Sequence, residues 1–128
     1  MTTELTYLAL VSLFTAVAWI PNILDSFLVR GISATVGYPE NPPPLSPWAQ
    51  RAKAAHANAS ANLPIFAAAI LLVHVAGASN QVTAAAAMIY FWARVAHFVV
   101  FTLKIGWLRT VSFLIAFACQ VAILLQLF

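Results

Sequence analysis

Apolar residues fill this chain in four long runs, separated by a proline-rich stretch, a short polar turn and a brief "KIGW" break. The first run opens at Leu5 and closes at "RG", Arg30 and Gly31, where a late cation followed by glycine is a helix-stop signal. "YPENPPPLSP" follows, and its prolines forbid a continuous helix. Ser46 before Pro47 reads as an N-cap with proline at the first helical position, opening a second helix. "GASNQ", at Gly77 to Gln81, is a turn. Each run supplies about 20 or more mostly apolar residues, enough to cross a hydrocarbon core about 30 Å thick. The pattern predicts an all-α fold: a four-transmembrane-helix bundle with helices at about 5–29, 47–75, 82–103 and 108–128, forming a single integral membrane domain over residues 1–128.

Composition strengthens this reading, since 63% of the residues are hydrophobic and only 7% charged, outside the range of a soluble domain. The opening "MTTELTYLALVSLF" lacks a basic n-region and carries Glu4, so a retained first span is expected rather than a cleaved leader. Of the six Lys and Arg residues, Arg30, Arg51, Lys53, Lys104 and Arg109 gather at the ends joined by the first and third loops. The positive-inside rule then places loops 30–47 and 104–108 in the cytoplasm and both termini on the opposite side. The sixth cation, Arg94, falls inside the third span.

Two stretches break the apolar pattern. In "RAKAAHANASANLP", helical periodicity stacks Arg51, Ala55, Asn58 and Asn62 on one face and sets Lys53, His56 and Ser60 on another, so neither face suits lipid. The interleaved alanines allow neighbouring helices to approach closely. In "YFWARVAHFVVF", Arg94 is followed one turn later by His97 and another turn later by Phe101. A cation at that depth costs from about 2.5 kcal/mol on insertion scales to more than 10 in simulations, so it requires a partner or a wet cavity. Candidate partners within the chain are Asp25, which shares a stripe with Asn22 and Ser26, or the amides Asn58 and Asn62. Three acidic residues cannot neutralise six basic ones, which points to an anionic guest.

At these residues the chain resembles the MAPEG family, membrane-associated proteins of eicosanoid and glutathione metabolism, in a bacterial-type form. "RAKAAHANASANLPIF" is similar to the family's second-helix signature, while "RVAHFVVF" and the later "LRT" are similar to its third-helix signature and the arginine opening its fourth helix. The resemblance implies a homotrimer that binds glutathione as cosubstrate between protomers near the cytoplasmic side, and acts as a membrane transferase or peroxidase on lipophilic electrophiles. It assigns Arg109 the catalytic role of stabilising the thiolate, and Arg51, His56, Asn58, Arg94, His97, Phe101 and Thr110 the binding of glutathione. A guanidinium beside a thiol, whose free pKa is about 8.5, favours the nucleophilic anion, and arginine forks suit the carboxylates of glutathione.

The chain also departs from the family pattern. Ala61 stands where a glutamate is usual, Lys53, Ala54 and Ala57 stand among positions that often carry arginine, and Phe101 replaces a tyrosine. Each lost contact to a charged group is worth about 1.5 to 3 kcal/mol. The alternative reading is therefore a catalytically degenerate scaffold or accessory subunit of a larger membrane complex. A metal site has no support in the spacing around His74, and nothing in the chain suggests nucleic-acid binding. Cys119, alone in an apolar helix, reads as a small core residue.

Overall fold

The computed structural model describes residues 1–128 as five helices and no strand: α1 (Thr3–Val17), α2 (Ile20–Val36), α3 (Pro47–Ala76), α4 (Gln81–Thr102) and α5 (Gly106–Leu125). Taken together, α1 and α2 form one apolar segment, Thr3–Val36, and with α3, α4 and α5 they make four segments long and apolar enough to cross a membrane.

The first helix, expected over about 5–29, is divided by a turn at Ala18 and Trp19. Pro21, in the first turn of α2, supplies the reason, because it has no N–H to continue the ladder of α1. The stop expected at Arg30–Gly31 is a local interruption: Gly31 has φ 82°, a left-handed value that suits glycine, and helical turns resume as far as Val36. The Thr35 hydroxyl spans the interruption by donating to the Gly31 carbonyl at 2.8 Å, and it lies 2.9 Å from the Ser26 hydroxyl.

α3 starts with Pro47 and ends at Gly77, whose left-handed conformation (φ 66°) lets its N–H reach back to the last-turn carbonyls. α4 opens with a capping box: the Asn80 side chain accepts from Thr83 N–H at 3.0 Å, while the Thr83 hydroxyl accepts from Asn80 N–H at 2.8 Å. Asn80 also donates to the Gln126 side chain at 2.8 Å, tying this turn to the end of α5.

α4 is the central helix, packing against α5, α3 and α1, whereas α2 leans mainly on α3. The apolar core occupies the half of the bundle holding the chain termini. It is built from Val11, Phe66, Ile70, Val73, Tyr90, Ile123 and several alanines, with Cys119 among them. Phe66 and Tyr90 stack at 3.9 Å between centroids, almost parallel at 7°. Three hydrogen bonds set the levels of the other half. The Arg51 Nε donates to the Thr102 carbonyl at 2.9 Å, so the foot of α3 passes the end of α4. The His56 ring donates to the Thr15 carbonyl at 3.0 Å, in the last turn of α1, where carbonyls lack a helical partner. The Gln120 side chain donates to the Asn62 carbonyl at 3.2 Å, fixing α5. Together α1 and α2 run to 34 residues, about 50 Å of helix at 1.5 Å per residue. The α2–α3 hairpin consequently extends past the α4–α5 hairpin as a shelf.

Asp25 secures that shelf and does not meet a cation. Its carboxylate accepts the Ser46 N–H and the Ser46 hydroxyl, both at 2.8 Å. Ser46 thus occupies the N-cap position expected for it, but its hydroxyl serves Asp25 and makes no capping bond within α3. Arg30 adds a second tie by donating to the Pro43 carbonyl at 2.7 Å. Replacing Asp25 with alanine removes both charge-assisted bonds to Ser46 and is expected to destabilise the protein by about 3 kcal/mol. Asp25→Asn, which keeps an acceptor oxygen, is expected to cost less; thermal unfolding in detergent measures both.

Candidate functional site

Below the apolar core, at the foot of α4 and α5, polar side chains meet inside the bundle. Arg94 is 2% exposed, and its Nη2 donates to the Asn58 Oδ1 of α3 at 2.6 Å. The other nitrogens of the guanidinium, Nε and Nη1, have no hydrogen-bond partner. Asn58 is braced in turn, because its backbone carbonyl accepts from the Asn62 side chain at 2.9 Å. Asn62 connects through its own carbonyl to Gln120, which also lies 3.5 Å from the Tyr90 hydroxyl. An amide chain therefore joins α3, α4 and α5 around the buried cation. Of the partners considered from the sequence, Asn58 is the one Arg94 bonds; Asp25 is committed to Ser46.

Two open hollows lie beside this network. The inner one, about 230 Å³, is lined by Asn58, His97, Phe101, Arg109, Thr110 and Phe113. The outer one, about 280 Å³, includes Arg51, Phe101, Lys104, Gly106 and Arg109 in its wall. Phe101 and Arg109 belong to both, and the Arg109 guanidinium sits 4.9 Å from the centre of the Phe101 ring, a cation–π arrangement. His97, 2% exposed, meets the edge of Phe101 at 5.6 Å, and its Nδ1 is buried without a partner. No carboxylate lines either hollow. The cations are met by neutral groups: a helix-end carbonyl for Arg51, an aromatic face for Arg109, an amide for Arg94.

The MAPEG family model matches residues 5–128, nearly the whole chain. The chain belongs to the MAPEG family. No curated protein and no solved structure matches it. MAPEG proteins include glutathione transferases and peroxidases. Of the residues singled out in this MAPEG sequence, Arg51, Asn58, His97, Phe101, Arg109 and Thr110 line the hollows. Arg94 stands behind Asn58 and bears on the inner hollow only through it. His56 does not join them: its ring turns to the Thr15 carbonyl of α1. The walls also include residues the sequence did not mark as site residues: Phe113 in the inner hollow, and Lys104 with Val100, Ile105 and Gly106 in the outer one. Phe113 lies one turn after Arg109, a spacing that puts it on the same helix face. Lys104 had a signal only in charge, since its place depends on a left-handed residue (φ 63°) in the α4–α5 turn.

The Arg94–Asn58 bond should be measurable as a coupling. Arg94→Met and Asn58→Leu are each expected to destabilise the protein, and a double-mutant cycle in detergent unfolding is expected to return an interaction of about 2 kcal/mol. The Asn58→Leu single variant should be the most damaging of the set, since it leaves a buried guanidinium with no partner.

Proposed function

We propose that this MAPEG protein is a membrane transferase or peroxidase using a polyanionic thiol of the glutathione type on lipophilic electrophiles, with Arg109 stabilising the thiolate. The observation that carries this reading is the convergence of Arg51, Lys104 and Arg109 on adjoining hollows without any carboxylate, at the foot of an otherwise apolar bundle. Such a site attracts an anion of several charges, and surroundings of low dielectric strengthen that attraction.

Within this reading, Arg51 and Lys104 bind ligand carboxylates at the outer hollow, while Asn58, His97, Phe101 and Thr110 shape the inner one. Arg109, common to both, lies beside the sulfur and lowers the thiol pKa from its free value of about 8.5. In transfer, the thiolate attacks an electrophilic carbon, forming a C–S bond as the leaving group departs with its electron pair. In peroxide reduction, two thiols are oxidised to a disulfide as the hydroperoxide becomes an alcohol and water. Lipophilic substrates reach the hollows from the bilayer, and the thiol arrives from the cytoplasm. Both hollows are open rather than sealed, and further copies of the chain in a homotrimer close them.

Calorimetric titration of the detergent-solubilised protein with glutathione is expected to give saturable binding that weakens as salt is raised. Arg109→Ala is expected to lose most of the thiolate absorbance of the bound ligand and to shift the rising limb of the rate-against-pH curve upward, towards about 8.5. No binding heat at millimolar glutathione would overturn the reading in favour of a non-catalytic scaffold.

A further inference from the structure

Each of the three acidic side chains is placed away from the hollows or already engaged. Glu4 lies in the first turn of α1, at the opposite end of the bundle. Asp25 holds Ser46 with both oxygens. Glu40 is exposed on the loop at the tip of the α2–α3 hairpin. Against these, Arg51, Lys104 and Arg109 line the hollows, and Arg94 stands one residue behind with two nitrogens unpartnered.

Neutral acceptors are scarce there as well. The Asn58 Oδ1 takes the Arg94 guanidinium, and the Thr102 carbonyl takes Arg51. The His97 Nδ1 and Thr102 Oγ1 lack partners, but both atoms are sealed from the surface and out of a ligand's reach. Among the side chains of the inner hollow, the Thr110 hydroxyl and the His97 Nε2 are the acceptors left, and both are neutral. A ligand's carboxylates meet cations on several sides, whereas an ammonium group on the same ligand would meet guanidinium charge with no anion to offset it.

We infer that the site selects anionic thiols that carry no ammonium group, so that N-acylated or deaminated relatives of glutathione are held more tightly than glutathione itself. The inference rests on the reading of the hollows as a thiol site and concerns which member of that class they take. Its physical basis is like-charge repulsion in a partly desolvated space, where one uncompensated charge is worth a large factor in affinity.

Three ligands titrated calorimetrically into the full chain in detergent test it: glutathione, N-acetylglutathione, and glutathione with its glycyl carboxylate esterified. N-acetylglutathione is expected to bind roughly tenfold more tightly than glutathione, and the ester more weakly than its parent. Thr110→Asp, which puts a carboxylate into the wall of the inner hollow, is expected to reverse the order of the first two, and Glu40→Gln to leave it unchanged. Glutathione binding as tightly as or more tightly than its acetylated form would overturn the selectivity while leaving the thiol site standing, provided the ester is still weaker. Failure of all three to bind would overturn the thiol site and the selectivity together.

Discussion

A guanidinium enclosed by a helix bundle must be answered by something, and in this protein the answer is one amide oxygen. The 2.6 Å bond from Arg94 to Asn58 fixes α4 against α3 at one level. A shift of either helix by one residue would strand the cation in an apolar interior. The rest of the lower bundle follows from that register. With Asn58 opposite Arg94, Arg51 reaches the end of α4, and His97 and Phe101 share a wall with Asn58. Asn62 and Gln120 carry the constraint to α5, which brings Arg109 over the ring of Phe101.

Small residues make this economy of polar contacts workable. Ala52, Ala55, Ala59 and Ala69 of α3 and Ala86, Ala87 and Ala93 of α4 are all buried, so the backbones approach closely where a larger side chain would hold them apart. Close approach strengthens dispersion contacts in a bilayer, where helices gain little from leaving lipid for protein. It also shortens the reach required of Asn58, whose side chain is among the shorter ones that can accept from an arginine. The alanine-rich second signature therefore has a structural role apart from its polar residues.

Much of this was legible in the sequence. The apolar runs gave the membrane-crossing helices, because run length against bilayer thickness leaves few alternatives, and the spacing of His97 and Phe101 put both beside the inner hollow, with Arg94 one turn behind. Tertiary bonding was harder to read. His56 sits in the same polar stretch as Asn58, yet two residues along a helix turn a side chain by about 200°, enough to send it to α1 instead. Asp25 looked like the natural partner of a cation, but Ser46 follows the proline-rich loop and offers two donors at once, a geometry set by the fold of that loop. The division of the first span was hidden because a proline in a long apolar run is equally compatible with a bend, and the turn at Ala18 and Trp19 is itself apolar, so it leaves no mark in hydropathy.

How the cations are compensated decides what the site can attract. A carboxylate placed beside Arg51 or Arg109 would satisfy the charge and cancel its field, leaving a pocket without electrostatic appeal. A peptide carbonyl, an aromatic face and an amide oxygen stabilise the same cations through dipoles and a quadrupole, which offset the cost of removing water but leave the net charge in place. Such compensation leaves the charge of the guanidinium groups in place across the hollows, where the exposed Arg109 still feels added salt and the buried Arg94 does not. Cations already held against a ring or an amide have less reorganisation to undergo when a negative charge develops or arrives, the condition that favours electrostatic stabilisation of an anion. The scarcity of acids, which in the sequence looks like a deficit, is the property that keeps these hollows positive.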